Sequence, residues 1–323
     1  MIDQRWRLRA AKLALILTMI GLLLPTSGGV AQPPPDGVIR ALEFYARTDN
    51  ADYYRMVYWS GGLLITGFYA EPRSPGRHPA VIYNRGGNRG VGALRGNEFV
   101  AFAETGYVVA ASQYRGGPGA EGRDELGGAD VDDVMSLIPL LRSRAKVDPD
   151  RIAIFGSSRG ALMTYIALRR QTETGAQDIR VAATTSGLTD LIMWARERPD
   201  LDGGVYLELM GANTRINRAA LEARSATYWP ELIRVPILIV HGDADTGVSV
   251  QQSRRLYEGI RAAGGQAELI IVRGGDHGLT NRNAGMPEAL RWFQTHLARG
   301  DEDFTFETHA EAIRRATVAL RRP

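Results

Sequence analysis

Cysteine is absent from all 323 residues, and lysine nearly so, occurring as Lys12 and Lys146 against a background of 39 basic side chains. The first absence excludes a disulfide framework and a lipid-attachment cysteine; it fits an oxidising compartment without requiring one. The second reads as codon usage rather than as a phosphate-binding surface. A strong charge of one sign is also missing. The formal net charge is +3, and the first 31 residues carry four basic side chains and one Asp, so +3 less +3 leaves the remainder near neutral. This gives no warrant for nucleic-acid binding, and the pI of 9.2 is partly set by the N-terminal residues. There is no internal repeat, no long low-complexity stretch, and no GK[ST] that would make a glycine loop a P-loop.

The apolar run Leu13–Leu24 follows Arg5, Arg7, Arg9 and Lys12 and precedes Pro25 and the small residues up to Ala31. A charged region, a hydrophobic stretch and a small-residue site in that order predict a signal peptide over 1–31, cut after Ala31. The run is shorter than the ~20 residues a spanning helix needs, so no stable membrane span is expected once the leader is removed; a retained anchor is the competing reading. The protein is then expected to be secreted or periplasmic. Residues 32–50 read as a linker and N-terminal segment, starting with three consecutive prolines. Residues 51–300 read as one α/β domain, with 187–234 as a cap-like insertion, and 301–323 as a C-terminal helical tail.

The chain is organised around RIAIFGSSRGALMTYIALRR, Arg151 to Arg170. Arg151–Phe155 is a short run of the kind buried on both faces of a sheet. A tight turn follows at Gly156–Gly160, and from Ala161 apolar residues recur at helical spacing with no Gly or Pro up to Gln171. The turn matches GxSxG with Ser158 at the nucleophile position. Strand, sharp turn and helix would hold its hydroxyl at the top of a sheet, in front of the orphan N–H donors of a helix start. A Gly/Ser turn that merely caps a helix is the alternative.

Other elements follow the same alternation. Residues 51–70 read as a hairpin about Gly61-Gly62, suited to an antiparallel sheet edge. Short buried strands are expected at 80–83, 107–111, 180–185, 236–240 and 267–272, with helices at 129–144 and 250–263. Asp130, Asp132 and Asp133 fall in the first turn of the helix at 129–144, where the helix dipole explains the acidic cluster without a metal. The glycine loop at 84–90 follows a strand. There Gly86 and Gly87 would let backbone approach a substrate, and Arg85 or Asn88 would aim a side-chain donor. With the backbone N–H of Arg159, the residue after the nucleophile, this loop is a candidate oxyanion hole; a solvated loop is the alternative. In 187–234, Trp194 and Tyr206 are candidate substrate contacts, with packing the alternative for each.

A serine hydroxyl needs a base to take its proton and an anion to steady that base. Chain order Ser, Asp, His, each just past a buried strand, puts Ser158, Asp245 and His277 at one edge of a parallel sheet. Of the five histidines, His78, His296 and His309 lie in unsuitable places and His241 is the rival, its other role being a hydrogen bond that shapes the turn. Asp243 and Asp276 are rivals to Asp245, or else turn residues.

At these residues the sequence resembles a known family. GSSRG between strand and helix, then HGDAD and GGDHG, with HPAVIYNRGG and ADVDDV upstream, are similar to the catalytic domain of prolyl oligopeptidase family serine peptidases, over roughly Asp52 to Leu297. The resemblance implies an α/β-hydrolase fold: a mostly parallel central sheet with helices on both faces and an antiparallel N-terminal edge. It implies Ser158 as nucleophile, Asp245, the second acid of HGDAD, as orienting acid, and His277 as base. The Arg159 backbone and the loop Arg85, Gly86, Gly87 would then be the oxyanion hole. No cofactor and no metal are implied. The chain departs from the family at Arg85, where an aromatic often stands, at Arg159-Gly160-Ala161 in place of Tyr-Gly-Gly, and in leaving no room for an N-terminal β-propeller that screens substrate size. The expected activity is peptide-bond hydrolysis through an acyl-enzyme, on small peptides; a carboxylesterase and a non-catalytic binder of the same fold are the alternatives.

Overall fold

Apolar side chains that alternate along short strands bury both faces of one sheet, and that sheet sets every position in the site. The computed structural model describes residues 32–299 and 306–320. The chain divides into two units, Met1–Pro33 and Pro34–Pro323. The first holds the expected signal peptide, which lies outside the described residues, and the fold is that of the second.

Nine strands form the sheet: β1 (Ile39–Arg47), β2 (Ala51–Ser60), β3 (Leu63–Pro72), β4 (His78–Asn84), β5 (Val108–Ser112), β6 (Val147–Ser157), β7 (Ile179–Thr185), β8 (Ile237–Gly242) and β9 (Ala267–Val272). Their order is β1-β2-β3-β5-β4-β6-β7-β8-β9. The first three strands and the β3–β5 pair are antiparallel, and every pair from β5 to β9 is parallel. The fold is therefore an α/β-hydrolase type, mostly parallel with an antiparallel N-terminal edge. Gly61 and Gly62, both at positive φ, close the β2–β3 hairpin in the register Ser60 to Leu63, where a left-handed turn matches the strand twist. Residues 32–50 are more than a linker, because β1 pairs along β2 as the sheet's outer edge. Its pattern is largely exposed, which is why no apolar alternation announced it.

The chain comes off β3 to β4, crosses to β5 on one side, then returns to β6 on the other side of β4. Direction reverses at β4, and such a reversal opens a crevice beyond the carboxyl ends of the strands. Along β4, Ala80 and Ile82 join one core with Ile152, Ile154 and Ile239, while Val81 and Tyr83 join the opposite core with Phe155, Ala183 and Val240. Continuous apolar runs are what a strand covered on both faces requires. Each fully buried Val, Ile, Leu or Phe contributes about 1.5–3 kcal/mol to holding that layer closed.

The helices are α1 (Val100–Glu104), α2 (Asp130–Met135), α3 (Leu137–Arg142), α4 (Arg159–Thr174), α5 (Leu191–Glu197), α6 (Pro199–Gly203), α7 (Val205–Met210), α8 (Arg218–Glu222), α9 (Val250–Ala262), α10 (Met286–Leu297) and α11 (Phe306–Leu320). Buried residues of α2, α3, α4 and α9 pack on one face of the sheet and those of α1, α10 and α11 on the other. The single helix expected at 129–144 is two short ones, because Pro139 has no N–H to give to the carbonyl of Met135. Among the described residues no helix is long and apolar enough to cross a membrane.

Candidate active site

β6 leads into Ser158, and α4 leaves it. Ser158 has φ 56° and ψ −120°, a left-handed backbone that a non-glycine residue adopts only when its surroundings force it. The forcing contacts are local. The Ser158 N–H donates to the Thr185 carbonyl at 2.9 Å, which ties the turn to β7. Gly160 lets the first turn of α4 lie against the end of β4, since a Cβ there would overlap the Asn84 carbonyl. The result lifts the Ser158 side chain above the sheet.

The other two predicted residues arrive from the next strand ends. Asp245 follows β8, and His277 follows β9. His277 Nδ1 lies 2.8 Å from Asp245 Oδ2 and its Nε2 lies 3.0 Å from Ser158 Oγ. A carboxylate only accepts, so Nδ1 carries the proton, and Nε2 of a neutral ring is left to accept from the serine hydroxyl. Asp245 Oδ1 accepts the N–H groups of Gly247 and Val248, at 2.8 and 2.9 Å. Oδ2 also accepts from His241 Nε2 at 3.1 Å. That ring nitrogen lies 2.9 Å from the Val248 carbonyl as well, while His241 Nδ1 accepts from the Ser253 hydroxyl at 2.7 Å. His241, the rival base, thus shapes the acid's turn from below. Burial alone would push the Asp245 carboxyl up, but the hydrogen bonds from His241, His277 and the Val248 amide outweigh it and hold the group well below the usual carboxylate range. The Asp245 carboxylate is fully covered while the His277 side chain stays 40% exposed, so solvent reaches the ring but not the carboxylate.

Asp243 and Asp276 are turn residues: the first accepts the Gly274 N–H, and the second accepts the N–H and hydroxyl of Thr280. His78 lies against the Ser74 carbonyl and His296 donates to the Trp292 carbonyl, both away from Ser158.

The glycine loop after β4 abuts Ser158. A Cβ built on Gly86 would lie 3.1 Å from the Ser157 carbonyl and 3.3 Å from Ser158 Cβ, so a side chain there fits only if these neighbours give way by a few tenths of an ångström. The side-chain roles expected for Arg85 are corrected by its placement. Arg85 is 2% exposed and directs all its N–H groups at backbone carbonyls, leaving none for an oxyanion or a substrate carboxylate. Arg159 is equally buried. Its guanidinium forks onto Asp124 with two contacts of 2.7 Å, reaches Asp130, and donates to the Gly87 carbonyl at 3.0 Å. Burial by itself would lower the Arg159 pKa, but the charges of Asp130 and Asp124 reverse the sign and hold it above its ordinary value. Burial likewise works against the Asp124 carboxylate, and Arg159 together with the amides of Arg89 and Leu126 more than offsets it. The acidic cluster at the start of α2 is therefore an arginine partner set: Asp130 meets Arg159, Asp132 meets Arg170, and Asp133 meets Arg115 at 2.8 Å. Helix polarity is not its main compensation.

The segment 187–234 reaches both sides of the site. Trp194, half-buried, donates its indole N–H to the Gly247 carbonyl at 2.9 Å, and Gly247 in turn lies against the His277 ring. Glu208 pairs with Arg89 of the glycine loop at 2.6 Å, and Arg123 donates to the carbonyls of Glu208 and Leu209. Tyr206 is not a substrate contact. It is completely buried, and its hydroxyl donates to the Leu191 carbonyl at 2.9 Å.

Known proteins resemble this chain in sequence and in fold. The profile of the prolyl oligopeptidase family matches residues 93–300, more than half of the chain. A relative named as an uncharacterized peptidase, YtmA of Bacillus subtilis (strain 168), is 32% identical over 224 residues, covering 69% of this chain and 85% of the relative. The acylamino-acid-releasing enzyme of Rattus norvegicus is 22% identical over 287 residues, covering 83% of this chain. This chain spans only 36% of that enzyme. The solved acylaminoacyl peptidase of Pyrococcus horikoshii shares the fold, with a TM-score of 0.65 at 21% identity, over 82% of this chain and 45% of that one. The chain belongs to the prolyl oligopeptidase family.

Proposed function

We propose that the protein is a serine peptidase that cleaves small peptides through an acyl-enzyme. The observation that carries this reading is the hydrogen-bonded series Ser158, His277, Asp245 behind a strained serine at a strand–helix turn. As the Ser158 oxygen bonds to the substrate carbonyl carbon, its proton passes to His277 Nε2, and the imidazolium is steadied by the Asp245 carboxylate. The carbonyl oxygen gains the negative charge within reach of the backbone amides of Arg159 and the loop Arg85–Gly87. When the tetrahedral species collapses, His277 gives its proton to the leaving amine nitrogen. Water then attacks the acyl-serine, losing a proton to His277; collapse breaks the acyl–Oγ bond, His277 returns the proton to Ser158 Oγ, and the acid product leaves. A preformed acid–base pair contributes typically about 10²–10⁴-fold, and each oxyanion donor a comparable factor.

Family membership supports peptide substrates, and the low position of Asp245's pKa supports an acid that stays charged through the cycle. Part of the proposal is export: the order of charge, apolar run and small residues in 5–31 supports a leader cut after Ala31. A panel of aminoacyl-p-nitroanilides against p-nitrophenyl esters tests the substrate class. The peptidase reading expects turnover of anilides and loss of all turnover in Ser158→Ala. Hydrolysis of esters alone would move the assignment to a carboxylesterase, and no turnover of either to a binder. Sequencing the N-terminus of protein recovered outside the cytoplasm tests the leader, with an intact Met1 the contrary result.

A further inference from the structure

The two arginines that flank Ser158 do not face solvent, and their common partner is one aromatic ring. Tyr114 is fully buried, with the Arg85 guanidinium 4.9 Å from its centroid and that of Arg159 at 5.1 Å. Around this stack the carbonyls of the glycine loop are gathered in. The Tyr114 hydroxyl donates to the Arg85 carbonyl at 3.1 Å. Arg85 Nη1 donates to the carbonyls of Gly86 and Val91, at 3.1 and 3.2 Å, and its Nη2 to that of Arg89 at 3.0 Å. Arg159 Nη1 takes the Gly87 carbonyl, and Asp124 Oδ2 accepts the Arg89 N–H at 2.9 Å.

We infer that Arg85, Tyr114 and Arg159 are positioning residues that fix the peptide planes of the oxyanion loop, carbonyls inward and amides outward. The inference rests on the serine-hydrolase reading and deepens it. In a trans peptide the C=O of one residue and the N–H of the next point in opposite directions. Binding the carbonyls of Arg85, Gly86 and Gly87 to the buried stack therefore turns the amides of Gly86, Gly87 and Asn88 the other way. Two adjacent glycines rotate easily, and a flipped plane would offer a carbonyl to the developing oxyanion in place of a donor. Charge-assisted hydrogen bonds from two guanidinium groups hold the loop against that flip. Arg85 suits this task because its fork supplies five donors to several carbonyls at once, which an ammonium point charge does not do.

The test compares an oxygen ester with the thionoester of the same acyl and leaving groups, on the full chain. A thiono sulfur is larger and a poorer acceptor, so an ordered oxyanion site rejects it and a disordered one does not. For Arg85→Lys the expectation is a kcat on the oxygen ester lower by about 10²-fold with KM within about 3-fold, and an ester/thionoester ratio reduced by a similar factor. Tyr114→Phe keeps the ring between the guanidinium groups and removes one hydrogen bond, so its loss in kcat and in the ratio is about 2- to 10-fold. Near-ultraviolet circular dichroism checks each fold, and if Arg85→Lys does not fold the Tyr114→Phe result decides. Folded variants that retain the wild-type ratio, whether slowed or not, overturn the positioning role. Equal turnover by Ser158→Ala and wild type would instead overturn the serine-hydrolase reading, and the inference with it.

Discussion

Asp245 shows how much of the chemistry is set by single side chains. It is covered, yet four neighbours hydrogen-bond its charged form, and its pKa falls below the ordinary value of about 3.9 that the unfolded chain would show. A carboxyl with a depressed folded pKa stabilises the fold fully above that ordinary value. The contribution is lost as pH falls below about 4 toward the folded pKa, because the unfolded chain takes up the proton first. Asp245→Asn removes the linkage, so wild-type Tm should drop more steeply than the variant's between pH 5 and 2, and parallel curves would contradict it. The same variant should lose about 10⁴-fold in kcat, since an amide no longer holds His277 in the tautomer that accepts from Ser158. Tyr206→Phe separates packing from binding. It removes one buried hydrogen bond, to the Leu191 carbonyl, at a cost of about 0.5–1.5 kcal/mol, and leaves kcat/KM within about 2-fold. A large rise in KM at unchanged stability would restore Tyr206 as a substrate contact.

At the scale of elements, the strand–turn–helix around Ser158 depends on a near approach of backbone to backbone. Gly160→Ala places a methyl on the Asn84 carbonyl, where neither partner is a flexible side-chain end. Denaturant unfolding should show a loss of about 3 kcal/mol or more, or failure to fold, and a loss below 1 kcal/mol would contradict the packing described. This element, the hairpin about Gly61-Gly62 and β9 at 267–272 were legible in the sequence because period, turn glycines and run length agree there. β1 was not, because an edge strand with exposed side chains carries little apolar pattern. The break within 129–144 had a signal, Pro139, which the apolar face of that stretch masked. The buried Arg85–Tyr114–Arg159 stack was beyond reach: an arginine's burial depends on which loops fold over it, and Asp124 lies 35 residues before Arg159 in sequence. The single pointer was an arginine standing where the family often has an aromatic.

At the scale of the whole molecule, loops from the ends of β4, β6, β8 and β9 meet at the crevice that the reversal at β4 opens. The chain order of Ser158, Asp245 and His277 was readable in advance because each follows a buried strand and each sits in its own short motif. Their meeting was not in any one motif; it follows from parallel strands that all deliver their carboxyl ends to one side. Trp194, Glu208 and the backbone at Leu209 then join the segment 187–234 to the acid loop, the glycine loop and the loop at Arg123. The most direct measurement is reaction of the folded protein with a fluorophosphonate, followed by mass spectrometry of its peptides. The account predicts one adduct per chain, on Ser158, and none in His277→Ala; a folded protein that stays unlabelled, or an adduct on another residue, would contradict it.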